Sequence, residues 1–273
     1  MLSREEFGRR VMSDFDARRS SAILEGKSIS LTASAATEKT ALETRALGHP
    51  DYEDLPVGGT RTAPMVCVFL DLTNFTRRSF WDHPSEVVLL ADAVLKSFIA
   101  VVDAYGGHAL GLRGDGLFAG FSPGDPAFTA TMALSACATA LDRVENGVNP
   151  FLRSRGMEPI QARAGLDYGE ITFVRTGSDE HSEVNPLGFA ANFAAKCEKI
   201  AKSWEIVIGE GLYALVPEQV LFDTYAGSPK RYQRGDEVRF YRYFDFHWRR
   251  VVADLDGVVE DLASIPTSQI FQG

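Results

Sequence analysis

Residues 66–79 read VCVFLDLTNFTRRS, and one aspartate in that run restricts the fold more than any other position. The apolar stretch before it has the length and the β-branched, aromatic content of a strand buried on both faces. It runs straight into Asp71. A carboxylate at or near the end of such a strand needs a partner, because an unpaired buried charge is costly. A cation is the simplest partner, and a triphosphate carried by that cation is the next. The plainer alternative is that Asp71 caps the helix that follows.

Composition narrows the function classes. The chain has 273 residues, enough for one large domain or two small ones with a sizeable core. A formal net charge of −9 argues against a general nucleic-acid binder, which would show a basic stripe. It leaves a phosphate ligand open, since a bound metal inverts the local sign. No apolar run reaches the ~18–20 residues that span a bilayer. The start, MLSREEFGRRVMSDFDARR, is too charged for a secretory core. Cys67, Cys137 and Cys197 lie far apart without CxxC spacing and read as small core residues in a reducing compartment. The expected location is the cytoplasm, with no membrane and no nucleic-acid partner.

Along the chain, residues 1–60 form an N-terminal helical arm and linker. A charged helix over Glu5–Arg19 carries Phe7, Val11 and Phe15 at intervals of four, and a Ser/Ala/Thr-rich stretch follows. That second stretch has too little apolar surface for its own core and is expected to pack on something else, such as a second subunit. Residues 61–250 form the main domain and 251–273 an acidic tail. Pro84 to Tyr105 has helical spacing and ends at Gly106-Gly107. HALGLRGDGLFAGF reads as a hairpin with its turn at Gly114-Asp115-Gly116. Phe128–Val144 is a second helix, stretching towards Arg153. Residues 160–167 and 171–174 read as a strand pair around Tyr168-Gly169. Asn185–Ser203 is a helix with Pro186 in its first turn. A strand at 205–209, a helix at 210–216 and an aromatic strand at 238–246 complete the order. The fold expected is α+β: a ferredoxin-like βαββαβ core with helices on one face, followed by a further helix and strand.

In that core the first two strands bring Asp71 and Asp115 to one spot, although 44 positions separate them. Two carboxylates with phosphate oxygens suit Mg²⁺ or Mn²⁺. The backbone N–H groups of Asn74, Phe75 and Thr76 can hold phosphates beside them. Taken singly, Asp71 reads equally well as a cap and Asp115 as a turn former.

These segments resemble the class III nucleotidyl cyclases. FLDLTNFT and GLRGDGLFAGF are similar to that family's two metal-aspartate segments, and ARAGLDYGEI to its following strand pair. PLGFAANFAAKCEKIA is similar to its transition-state helix and WEIVIGEGLYALV to its next strand and helix, so the likeness covers roughly residues 63–217. It implies that Asp71, Leu72 and Asp115 hold two Mn²⁺ or Mg²⁺ ions per site. It implies that Asn192 orients the ribose, and that Lys196, in place of an arginine, stabilises the phosphoryl transition state. A spacing of four puts Asn192 and Lys196 on one helix face. It further implies a homodimer whose sites take the aspartates from one chain and Asn192 with Lys196 from the other. As plain structure, Asn192 and Lys196 are solvent-facing helix residues.

Gly111 and Asn185 stand where purine cyclases place their base-reading side chains. A glycine reads nothing, and Asn185 both donates and accepts, which suits a pyrimidine edge and equally a helix cap. With the EDLPVGGTRTAPM segment, the chain is similar to the pyrimidine cyclases of the Pycsar anti-phage system. That likeness implies a cyclic pyrimidine nucleotide messenger, uridine preferred over cytidine, acting on a separate effector. Tyr52 and Arg113 are further candidate nucleotide contacts, though Tyr52 reads more readily as a packed loop tyrosine and Arg113 also as a solvent-facing residue; Arg77 and Arg78 read as phosphate contacts or, more commonly, as a solvated pair. The alternatives are an adenylate cyclase with an unusual base pocket, an inactive cyclase-like nucleotide binder, and a diguanylate-cyclase-like domain, whose GGDEF run is missing.

Overall fold

The structure is a computed structural model that describes residues 3–28, 47–122 and 124–255. In chain order its elements are α1 (Arg4–Ser28), β1 (Thr60–Thr73), α2 (Phe75–Trp81), α3 (Pro84–Ala104), β2 (His108–Arg113) and β3 (Gly116–Phe121). There follow α4 (Pro126–Asp142), α5 (Asn149–Ser154), β4 (Gln161–Gly177), β5 (Ser182–Leu187) and α6 (Phe189–Ile200). The remainder is β6 (Ile206–Gly209), α7 (Glu210–Tyr213), β7 (Phe222–Thr224), β8 (Lys230–Arg234), β9 (Glu237–Tyr241) and β10 (Tyr243–Phe246).

The main sheet runs β2-β3-β1-β4-β6-β10-β7, with β5 added to the upper half of β4. Its β2-β3-β1-β4 part is antiparallel throughout, which is the βαββαβ order read from the sequence. Alternation along β1 sends Val66, Val68, Leu70 and Leu72 to one face, where they join α3 and α4 in the main core. Met65 and Cys67 go to the other face and meet Ala190, Ala191 and Ala194 of α6. Helices therefore cover both faces rather than one. All three cysteines are buried and unpaired, and burial pushes their thiols up. They are core residues, as read.

The N-terminal helix, read over Glu5–Arg19, extends over Arg4–Ser28. Phe7, Val11, Met12 and Phe15 are buried in the main core of the same chain. Arg4 pairs with Asp142, and Asp16 with Arg155. The remainder of the supposed arm, residues 29–46, and the tail beyond Leu255 lie outside the described residues.

Two element boundaries also differ. The pair expected around Tyr168-Gly169 is one continuous strand, β4, hydrogen-bonded to β1 from Gln161 to Val174. Its true hairpin partner is β5, which takes in Asn185 and Pro186 opposite Val174 and Phe173. Helix α6 begins only at Phe189. A proline is tolerated there because β5 is an edge strand. A Cβ at Gly188 would stand 2.6 Å from the Glu170 carbonyl, so the chain turns tightly at that point. The aromatic stretch 238–246 divides at Arg242. Its first half pairs with β8 in a separate hairpin, and its second half joins the main sheet.

Candidate active site

Asp71 sits in β1 between Gly116 of β3 and Arg163 of β4. Arg163 donates to Asp71 Oδ2 from Nε at 3.1 Å and from Nη2 at 2.9 Å. Its Nη2 also lies 2.5 Å from Glu198 Oε1, an ion contact without hydrogen-bond alignment, and Nη1 donates to the Ala201 carbonyl at 3.1 Å. Gly165, two residues along β4, is what allows this. A Cβ there would run into Glu198 N and Ala194 O, so only glycine lets α6 lie this close to the strand. Glu198 is thereby brought onto Arg163. Burial and the negative Asp71 beside it push the Glu198 carboxyl up to about 7, with Arg163 opposing.

Asp115 occupies the β2–β3 turn, after Gly114 in the left-handed conformation. Its carboxyl is held above the usual range, first by burial and then by the charge of Asp71. The two acids therefore face one region, as the sequence implied. Gly116 leaves the space between them open, since a Cβ there would stand 3.2 Å from Asp71 Oδ1. No group of three His, Cys, Asp or Glu side chains suited to a metal occurs among the described residues. Two carboxylates and little else fit a hard cation that keeps water and takes its remaining ligands from phosphate. Leu72 has its side chain in the core, one residue past the end of the β1–β3 ladder, so only its main chain remains as a ligand.

Beyond Asp71 the strand continues to Thr73 and turns at Asn74, whose φ of 61° is left-handed. Asparagine tolerates this better than most residues. Its side chain donates to Gln161, which also receives the Ser203 hydroxyl. Phe75 is buried and starts α2. Arg78 is buried and engaged with Asp82 and the Glu158 carbonyl, so it is no phosphate ligand; Arg77 is exposed. A cleft of about 530 Å³ opens beside this turn, lined by Thr73, Asn74, Arg77, Trp81 and Gln161 among others. Neither aspartate lines it.

Asn192 and Lys196 are both exposed on one face of α6. Neither contacts the aspartates of its own chain. Lys196 Nζ donates to the Tyr232 hydroxyl at 3.2 Å. Arg113 is exposed, and its Nη1 would lie 3.9 Å from a Cβ at Gly111. Asn185 lies on the β5 edge and donates to the Glu183 carbonyl, so it caps no helix. Tyr52 is removed from the candidates. It is 6% exposed, with its ring 3.8 Å from that of Phe173 in a stacked pair.

Sequence reasoning missed Arg163, Glu198 and Asp167. Arg163 meets Asp71 across 92 positions, and only the β1–β4 register reveals it. Asp167 is fully buried, and burial pushes its carboxyl up to about 7. It accepts from Tyr168 N, Leu212 N and the Tyr241 hydroxyl. A glycine-rich stretch, IGEGLY, was the available signal: Gly209 is where a Cβ would strike the Asp167 carboxyl.

With this geometry described, the likeness to known proteins can be weighed. The fold is that of class III nucleotidyl cyclase catalytic domains. The solved adenylyl cyclase CyaB from P. aeruginosa superposes with a TM-score of 0.59 at 20% identity, covering 68% of this chain and 95% of that one. The guanylyl cyclase Cya2 gives 0.58 at 20% identity, over 69% and 93%. Among curated proteins, two cytidylate cyclases of Escherichia coli are 25% and 28% identical over 70% and 74% of this chain. A cytidylate cyclase of Staphylococcus aureus is 24% identical over 63%. The chain spans less than half of these relatives, 44%, 46% and 42% of their lengths. No protein-family model matches it. No helix among the described residues is long and apolar enough to cross a membrane.

Proposed function

We propose that this chain is a nucleotidyl cyclase domain that converts a pyrimidine nucleoside triphosphate into its 3′,5′-cyclic nucleotide and pyrophosphate. The observation that carries it is that Asp71, in β1, and Asp115, in the turn leading into the neighbouring β3, face one region of a cyclase fold, with Asn192 and Lys196 on one exposed helix face.

The ribose 3′-oxygen attacks the α-phosphorus; the α–β bridging P–O bond breaks, pyrophosphate leaves and the 3′-hydroxyl proton passes to solvent. Positioning and charge carry the rate. Asp71 and Asp115, with the Leu72 main chain, would hold Mg²⁺ or Mn²⁺, which acidifies the hydroxyl and neutralises phosphate charge when bound. Arg163 and Glu198 fix the Asp71 carboxylate in place. Asn192 orients the ribose, and Lys196 places a point charge on the phosphoryl oxygens without the fork of an arginine. Backbone N–H groups at Asn74, Phe75 and Thr76 face the triphosphate.

In this reading the sites are shared in a two-fold homodimer. The open acid pair and the exposed Asn192 and Lys196 are two halves that one chain does not join. Mixing Asp71→Ala with Asn192→Ala protein should restore activity; mixed dimers that stay inactive overturn the shared site.

The relatives named cytidylate cyclase support a pyrimidine, with CTP the first substrate to test; they lend nothing to the uridine preference expected from the sequence. Gly111 lacks a side chain, and Arg113 and Asn185 remain as base contacts. A cyclic pyrimidine signal to a separate effector in anti-phage defence is the role this product would serve. Offering ATP, GTP, CTP and UTP with Mn²⁺ tests the assignment. Cyclic CMP or cyclic UMP is expected; cyclic AMP alone overturns the pyrimidine, and no product from any of the four overturns the cyclase.

A further inference from the structure

A lysine on an exposed helix face is a charge on a long flexible stem, and left alone it spreads over many rotamers. Lys196 is not left alone. Its Nζ donates to the Tyr232 hydroxyl at 3.2 Å and lies 5.0 Å from the centroid of the same ring. One aromatic residue thus holds the ammonium by a hydrogen bond to its hydroxyl, at the rim of the ring.

Tyr232 is itself well supported. It lies on β8 and meets the edge of Phe189, at the first turn of α6, at 5.9 Å. Phe189 packs on Phe193 and Tyr241. Tyr241, at the end of β9, accepts from Gly211 N at 2.8 Å and donates to the buried Asp167 at 3.0 Å. The β8–β9 hairpin is therefore tied at its base to a sealed carboxylate, and its other strand presents a phenol to Lys196.

We propose that Tyr232 is a positioning residue for Lys196, confining the ammonium to one direction and so offsetting the loss of an arginine fork. This rests on the cyclase reading, in which Lys196 meets the phosphoryl group. Tyr232 itself touches no substrate.

The test is a double-mutant cycle on the full chain with Mn²⁺ and whichever nucleotide gives most product. Tyr232→Leu should lower kcat by about tenfold with KM changed less than about twofold, as for an interaction made only in the transition state. Tyr232→Phe keeps the ring but removes the hydroxyl that accepts from Nζ, and should show most of the loss. In a Lys196→Ala background, followed at excess enzyme in single turnover, Tyr232→Leu should cost less than about twofold more, because its effect passes through the missing amine. Equal losses in both backgrounds, or no loss beside the native lysine, overturn the positioning role and leave the cyclase standing. If the unaltered protein makes no cyclic nucleotide from any of the four triphosphates, the cyclase reading fails and this inference with it.

Discussion

Two aspartates share one face of the sheet and have opposite fates. Asp71 meets Arg163, and Asp167 lies four residues further along the same strand, on the same side. Both are flanked by glycines and roofed by α6 or its neighbours. Asp71 keeps about a fifth of its side chain exposed, has a guanidinium on one oxygen and faces a second acid. Asp167 has no exposure, no cation among its hydrogen-bond partners, and only N–H and O–H donors around it. A carboxylate paired with a cation and left partly open can exchange that cation for another. One sealed among neutral donors is driven towards its protonated form and serves as an anchor. In the proposed function chemistry belongs at the first; the second is architecture.

The sharpest way to break this contrast is to neutralise each acid. Asp71→Asn should lower turnover by at least ~10²–10³-fold while leaving thermal unfolding nearly unchanged, since it strips charge from an open site. Turnover within tenfold of the native protein would remove Asp71 from the chemistry. Asp167→Asn should leave chemistry within a few-fold, and a collapse there with unfolding intact would erase the distinction.

Alanine at the paired glycines gives the next largest effect. A Cβ at Gly209 would strike the Asp167 carboxyl inside the core, so Gly209→Ala should cost about 1–3 kcal/mol of stability or more. A Cβ at Gly116 would stand 3.2 Å from both Asp71 Oδ1 and the Leu70 carbonyl, which asks a few tenths of an ångström of give rather than the overlap met at Gly209. Gly116→Ala should change stability by less than ~1 kcal/mol. Its Mn²⁺ affinity, read by calorimetry, should fall several-fold. If the two alanines gave the same profile, site and anchor would not be separable.

Arg163→Met sharpens the first half of the contrast. It leaves Asp71 and the buried Glu198 facing each other without the cation between them, and should cost about 1–3 kcal/mol in denaturant unfolding at pH 8. The cost should shrink at pH 5, where Glu198 takes up a proton. An equal cost at both pH values would mean that Arg163 acts by packing alone.

The two aspartates also mark what a sequence reveals. Asp71 is legible because it breaks an apolar run, and Asp115 because a Gly-Asp-Gly turn announces itself. The helix α3 and the βαββαβ order follow from periodicities that burial imposes locally. Asp167 is hidden, since LDYGE reads as strand followed by turn, and nothing local says that Gly169 is extended and paired with Met65. The same error placed Asn185 at a helix start, because Pro186 is a helix cue that an edge strand can also hold. Arg163 is invisible for a further reason: its role depends on register between strands, which no local pattern encodes. Tyr52 sits among polar neighbours, and of its two readings the packed loop tyrosine holds, since stacking on Phe173 buries it.

A pH dependence separates the two acids as well, and one part of it belongs to Asp167. Burial raises its carboxyl from the ordinary 3.8 to about 7 in the folded chain. Below about pH 4 both folded and unfolded states hold the proton. Between about 4 and 7 the unfolded chain releases it and the folded chain keeps it, so stability falls as pH rises through that window and levels off above it. Asp115 and Glu198 are raised as well and add slopes of the same sign, so the native curve does not isolate Asp167. The difference between native protein and Asp167→Asn does, because the amide does not titrate. That difference in melting temperature should move against the native protein by about 10 °C between pH 4 and 7, from about 1.4 kcal/mol per pKa unit and about 2–4 °C per kcal/mol for a chain of this size, and then stay flat. Two melting curves that run parallel across the window would mean that Asp167 is ionised in the fold. A cation near it would then have to be found, and the contrast with Asp71 would dissolve.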